Sequence, residues 1–127
     1  MIEAIVPQFF SPNIKRTLTY FEETLGFETQ FEYGDPVFYA GAIRDGLSIF
    51  FRYTEQPPTA PKKFEDELLD AYLRVNDIHK LYQDYQNRNA QIHRPLAEKE
   101  WGYTEFVIRD CDHRLLCFGQ DTATVSR

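Results

Sequence analysis

Apolar residues recur along this chain in two rhythms that take turns. From Ala4 to Phe10 they form a strand-like run of Ile5, Val6, Phe9 and Phe10, broken by Ser11-Pro12-Asn13. Ile14, Leu18, Phe21 and Leu25 then fall at spacings of four, three and four, which is one face of a helix. Asn13 is its expected N-cap, because its side-chain oxygen accepts from the orphan N–H groups of the first turn. Gly26 is its expected stop, being the residue that best adopts left-handed backbone. Phe27, Thr29, Phe31 and Tyr33 alternate next and predict a strand with all four on one side. Gly34-Asp35-Pro36 makes a turn. Val37 to Ile43 and Leu47 to Tyr53 are strands on either side of Asp45-Gly46, a dipeptide that suits the positive φ of a tight hairpin. The order is βαβββ.

The stretch 54–68, with Pro57, Pro58 and Pro61, reads as a linker, with a short helical turn expected from Phe64 to Leu69. The pattern then restarts. Asp70 to Val75 is a strand. Asn76 or Asp77 caps a helix whose inner face is Ile78, Leu81, Tyr82 and Tyr85, and Asn87-Arg88-Asn89 stops it. Gln91 to Leu96 is a strand. Tyr103 to Ile108 and Leu115 to Phe118 follow as two more, joined by a turn in which Asp side chains bond nearby backbone N–H groups. Residues 121–127 read as a frayed tail. Asn13-Ile14 and Asp77-Ile78 lie 64 residues apart at matching strand-to-helix junctions, so the repeat is one of pattern rather than of identity. The predicted fold class is α+β: two βαβββ modules, about 1–53 and 69–119, in a single domain of residues 1–120. Each module curls a four-stranded sheet, and the two together form a U-shaped cleft lined by alternate residues.

Composition narrows the function classes. The 127 residues are 43% hydrophobic and 16% aromatic, which excludes disorder and allows a sizeable core. A net charge of −6 argues against nucleic acid, which asks for a basic stripe. It suits a cationic ligand, or solubility alone. No apolar run reaches the roughly 18 residues of a membrane helix. The N-terminus, Met-Ile-Glu-Ala-Ile-Val-Pro, is too short and too acidic for a signal peptide. The expected location is therefore the cytoplasm. There Cys111 and Cys117 are read as free thiols rather than a disulfide within one hairpin.

The stretch Trp101 to Phe118 carries most of the candidate chemistry. Trp101 beside Gly102 sets a large flat ring next to backbone free to bend. It reads either as core of the hairpin or as a ligand platform. Glu105 is the acidic residue expected inside a central strand, where contact with a cationic ligand, pairing to Arg109 and general-base duty are all open. Cys117 reads as a buried structural thiol or a nucleophile, and no nearby base marks it for the second role. His79, His93 and His113 have no helical or strand-spaced histidine partner and read as surface or turn residues. No Gly-rich phosphate loop is present.

Several stretches resemble one family. Pro7-Gln8-Phe9 with Leu18, Tyr20-Phe21 and Leu25-Gly26-Phe27 resembles the first strand and helix of the vicinal oxygen chelate superfamily. Tyr39 to Phe50 resembles strands of its bleomycin-resistance branch, as do Trp101-Gly102, Glu105-Phe106, Arg109-Asp110 and the last apolar strand. The resemblance runs from about Ile2 to Gly119. It implies paired βαβββ modules, a cleft and a homodimer, with ligand sites at the dimer interface in bleomycin-binding members. It departs at Asp110-Cys111-Asp112-His113-Arg114, where relatives favour Asp-Pro and then Gly.

Catalytic members of that superfamily hold a divalent ion with His, Gln or Glu. Carried over by motif, those positions are Val6, Phe50, Asp70 and Cys117, a poor set for a hard metal. The resemblance therefore implies a metal-free protein without cofactor or catalytic residues, sequestering a flat, cationic or amphipathic, drug-like small molecule, as in antibiotic resistance. Expected ligand-binding residues are Tyr39, Phe50, Asp70, Trp101, Tyr103, Glu105 and Cys117. The alternative is a metal-dependent lyase or dioxygenase-like enzyme using an atypical set such as Asp70, Cys117 and His113. A third is a vestigial cleft in a protein that acts by association.

Overall fold

A computed structural model describes residues 1–58 and 68–126. The chain divides into two compact units, residues 1–59 and 60–127. The helical turn expected near Phe64 lies outside the described residues.

The first unit runs β1 (Gln8–Ser11), α1 (Ile14–Glu23), β2 (Glu28–Tyr33), β3 (Tyr39–Arg44) and β4 (Leu47–Tyr53), with sheet order β1-β4-β3-β2. β1 pairs with β4 in parallel and the other pairs are antiparallel. Helix α1 begins as its sequence predicts: Asn13 Oδ1 accepts from the Arg16 N–H at 3.0 Å. Gly26, at φ +78°, turns the chain out of it. Ile14, Thr17, Leu18 and Phe21 are its buried stripe. Phe21 meets Phe51 at 4.9 Å and Phe27 at 5.4 Å between ring centroids, both edge-on. Edge-to-face pairs of this kind add about 0.5–1.5 kcal/mol each beyond burial.

Two expectations for this unit change. The first strand begins at Gln8, and Ile5 is exposed outside it. Phe27 and Phe31, expected on one side, face opposite ways. The pairing of β2 with β3 slips between Thr29 and Phe31, so one extra residue reverses the alternation. Phe27 joins the core under α1, and Phe31 lies on the helix-free face against Phe50, 5.2 Å away. Gly41 makes that possible, since a β-carbon there would collide with the Phe31 ring.

The second unit runs β5 (Ala71–Arg74), α2 (Ile78–Asn87), β6 (Gln91–Glu98), β7 (Tyr103–Arg109) and β8 (Leu115–Asp121), with sheet order β5-β8-β7-β6. Its core is α2 against one face of the sheet. Tyr85, Ile78, Phe106, Ile108, Leu116 and Phe118 are all buried, and Phe106 stacks on Phe118 at 5.1 Å. The predicted cap does not form, because Asp77 makes no side-chain cap bond. Gln120, from the far end of the unit, does that work. Its Oε1 accepts from the Ile78 N–H at 3.0 Å, and its Nε2 donates to the Asn76 and Thr124 carbonyls, each at 3.2 Å. The tail is consequently tied down rather than frayed. Thr122–Thr124 form a 3-10 turn, with Asp121 Oδ1 accepting from the Ala123 N–H at 2.9 Å.

The β7–β8 turn departs from an Asp-Pro-Gly pattern and is held by charge. Asp110 accepts from the backbone N–H groups of Asp112 and Arg114, each at 2.9 Å, and pairs with Arg114 Nε at 2.8 Å. His113 takes the positive φ of 66° that a glycine would otherwise supply. Cys111 and Cys117 are both free thiols. No helix among the described residues is long and apolar enough to cross a membrane.

Replacing Gln120 by Leu strands the Ile78 N–H and frees the tail. Urea unfolding should show a loss of about 1–3 kcal/mol, the cost of orphaning a buried polar group. An unchanged midpoint would mean that Gln120 is not the cap of α2.

Candidate functional site

One helix covers one face of each sheet, and most of the expected ligand-binding residues lie on the other faces. Strand pairing identifies those faces. In the first unit, Gln8, Phe50 and Gly41 are in register across β1, β4 and β3. In the second, Tyr72, Cys117 and Val107 are in register across β5, β8 and β7. Val6 and Asp70, the positions carried over by motif, precede these strands. The strand residues beside Phe50 and Cys117 are Gln8 and Tyr72, because both first strands start later than their apolar runs suggest.

In the first unit, Tyr39 and Phe50 are brought together. Their rings, with that of Phe31, form an edge-on trio at centroid distances of 5.2 to 6.0 Å. The Tyr39 hydroxyl donates to Gln8 Oε1 at 2.9 Å. The trio is half-buried.

In the second unit, Trp101, Tyr103, Glu105 and Cys117 gather around Tyr72, which alternation along its strand places on the cleft side but which is not among the expected ligand contacts. Glu105, only 8% exposed, accepts from the Tyr72 hydroxyl at 2.6 Å and from Trp101 Nε1–H at 3.0 Å, both at Oε2. Tyr72 reaches Glu105 by lying across β8 at Gly119, where any β-carbon would collide with the phenol. A glycine inside a strand marks such a close approach, and that was the available signal for Tyr72. Tyr103 packs edge-on to Tyr72 at 6.5 Å, with the Arg74 guanidinium 5.9 Å from its ring centre. The pairing considered for Glu105 with Arg109 gives way to other bonds: Arg109 donates to the His113 carbonyl at 3.3 Å and meets His93 Nδ1 at 3.4 Å.

Trp101 is 61% exposed, so it is not hairpin core. It stands at the edge of a cavity of about 190 Å³ that Leu69, Arg94, Pro95, Lys99, Glu105, Phe106, Val107 and Cys117 also line. A hollow of about 320 Å³ elsewhere in the unit is lined by His79, Leu96, Glu98, Thr104 and Val125, and none of its lining residues is Phe, Tyr or Trp.

Asp70 lies outside this group. It precedes β5, and its Oδ2 accepts from the Leu115 N–H at 2.9 Å while its own N–H donates to the Leu115 carbonyl at 2.9 Å. It is a clamp on the start of β8. Cys117 is buried against Val107 and Leu115. Desolvation first, then the charge of Glu105 and a hydrogen bond to it, push its thiol up to about 12. A thiol so held is a weak nucleophile and a weak metal ligand. The same causes raise the Tyr72 phenol, with burial the largest and the Glu105 hydrogen bond next. Among the described residues, no three His, Cys, Asp or Glu side chains come together as a metal cluster. Donors for the atypical metal set do not converge: Asp70 is committed to β8, Cys117 is a protonated thiol, and His113 sits in the turn.

The two helix-free faces repeat one device. Two residues before Gly41 stands Tyr39, and two before Val107 stands Glu105. Each bonds the first strand of its own unit across the last, Tyr39 to Gln8 and Glu105 to Tyr72.

Two βαβββ units, each with a helix on one sheet face and several of the expected contact residues on the other, define the class of protein. Residues 4–118 match the model of the Glyoxalase/Bleomycin resistance protein/Dioxygenase superfamily, and the chain belongs to that superfamily. No curated protein matches the sequence. Among solved structures, a bleomycin resistance determinant encoded on transposon Tn5 is similar with a TM-score of 0.76 and 20% identity, over 94% of this chain and 98% of that one. The bleomycin-binding protein of Streptomyces verticillus, in complex with copper(II)-bleomycin, gives 0.69 and 20% over the whole of both chains. A glyoxalase-related enzyme from Clostridium phytofermentans gives 0.77 and 17%, over 95% of this chain and 96% of that one. At these identities the likeness is one of fold.

With its thiol held near 12, Cys117 is about one part in ten thousand thiolate at pH 8. Iodoacetamide at pH 8 should label the half-exposed Cys111 and leave Cys117 unmodified, as read by mass spectrometry of the peptides. Equal labelling of the two would show Cys117 to be an accessible thiolate.

Proposed function

We propose that this protein binds a flat, drug-like small molecule by ring stacking and does no chemistry on it. The supporting observation is Trp101, a largely exposed indole tethered by Glu105 at the edge of a cavity. Apolar walls with a few fixed polar groups are how pockets for small organic molecules are built. Tyr103 and Trp101 are the proposed ring contacts in the second unit, and Tyr39 and Phe50 are proposed as a separate aromatic surface of the first. Glu105 and Cys117 line the cavity behind Trp101. Asp70 is engaged with β8 and is left out of the contact set.

The ligand is proposed to be amphipathic and cationic. A net charge of −6 favours the approach of a cation, while Arg94 and Lys99 at the cavity temper that preference locally. The protein is proposed to act as a metal-free homodimer with its ligand sites at the subunit interface, to work in the cytoplasm, and to confer drug resistance by sequestration. Bleomycin-binding proteins of the same fold support the ligand class. The protonated Cys117 and the engagement of Asp70 speak for binding over metal-assisted lyase or dioxygenase chemistry.

Trp101 is the only tryptophan, so its emission reports this site alone. Titration with bleomycin should quench or shift it, and no change at high-micromolar drug would reject bleomycin as a ligand. Trp101→Ala should weaken binding of any stacked ligand by about 0.5–1.5 kcal/mol beyond lost burial. Protein purified without chelator should carry substoichiometric metal. Stoichiometric zinc, nickel, manganese or iron would overturn the metal-free reading in favour of an enzyme. Sedimentation should give a dimer at micromolar concentration, and a monomer there would remove the interface site.

A further inference from the structure

We infer that Glu105 is a positioning residue for Trp101, and that Tyr72 fixes Glu105 in turn. The inference rests on the reading that Trp101 is the ligand platform. It assigns Glu105 a different task from contacting a cationic ligand.

Trp101 sits in the short β6–β7 connection, followed by Gly102 at φ +86°. The turn's backbone is closed by the Gly102 N–H on the Lys99 carbonyl at 3.0 Å and the Lys99 N–H on the Tyr103 carbonyl at 2.8 Å, but those bonds do not hold the indole itself, which is 61% exposed. Its N–H donates to Glu105 Oε2 at 3.0 Å, and Glu105 rises from the interior of β7, a central strand of the sheet. The carboxylate is therefore an anchor on a central strand for a side chain that projects from a turn. It is itself held. The Tyr72 hydroxyl donates to the same oxygen at 2.6 Å from two strands away. Two neutral donors on two different chain segments converge on one carboxylate oxygen. Such bonds to an ionised acceptor are the strong kind. The carboxylate is satisfied without a cationic partner, so its presence beneath the indole does not require a cationic ligand. Gly119 keeps the path open, since a β-carbon there would displace the Tyr72 phenol. A platform fixed before the ligand arrives spares the ordering cost of binding.

The test is the anisotropy decay of Trp101 fluorescence without ligand. In the unaltered protein the indole should depolarise only with tumbling of the whole molecule. Glu105→Leu removes the acceptor and should add a fast local component. Glu105→Gln keeps a carbonyl acceptor in the same place and should suppress that component. A Glu105→Leu protein with an unaltered decay would overturn the inference. Should Glu105→Leu fail to fold, Tyr72→Phe decides. Tyr72 is 43% exposed, and loss of its hydroxyl leaves the core untouched. A fast component in Tyr72→Phe supports the relay and its absence overturns it. For a ligand that stacks on Trp101, Glu105→Leu should weaken binding about tenfold while Glu105→Gln stays within about twofold, the signature of lost preorganisation. An unaltered protein with a rigid indole and no spectral response to bleomycin would reject bleomycin as a ligand. The positioning role would then stand on the ligand-free decay.

Discussion

A four-stranded sheet has two faces, and a ten-residue helix covers one of them. In each unit of this protein the helix takes the face that carries the aromatic core, Phe21 on Phe51 in the first and Tyr85 on Phe118 in the second. What remains is a face of alternate residues that must satisfy its own polar groups. The side chains there bond to one another across strands instead of to solvent. Tyr39 reaches Gln8, and Glu105 holds Tyr72 and Trp101. Both faces depend on a glycine that lets an aromatic ring cross the sheet at van der Waals range, Phe31 over Gly41 and Tyr72 over Gly119.

The same arrangement accounts for how the side chains of these faces are engaged. Phe50 is part of an aromatic trio. Tyr72 is a hydrogen-bond donor whose phenol is raised by burial and by its carboxylate partner. Cys117 is a thiol kept protonated by burial and by the neighbouring Glu105 charge. Gln8 has its amide oxygen in use by Tyr39. Each group answers to a neighbour on its own sheet. Each face therefore has a preset shape.

The two units reach the same topology by different local means. The first helix is capped from its own N-terminus by Asn13, within three residues. The second is capped by Gln120, 42 residues away in sequence, which also gathers Asn76 and Thr124. The β7–β8 turn, lacking the usual small residues, is closed by a buried Asp110–Arg114 pair. Repeated architecture therefore requires that each orphan backbone group find a partner, and leaves open which residue provides it.

Periodicity was enough to determine the order of elements, the doubling of the βαβββ unit and the hairpin at Asp45-Gly46. Each is a local consequence of apolar spacing and of turn chemistry at adjacent residues. The quoted motifs were enough to point to the superfamily and to Trp101. Tertiary structure decided the rest. Register placed Gln8 and Tyr72, not Val6 and Asp70, beside Phe50 and Cys117, because strand ends are set by pairing and not by where an apolar run begins. A single slipped residue in β2 sent Phe27 and Phe31 to opposite faces, which no alternation count reveals. The meeting of Tyr72, Glu105, Trp101 and Cys117 joins segments up to 45 residues apart. Only the pairing of β5, β7 and β8 brings them together, so only the folded sheet could show that the carboxylate anchors the indole.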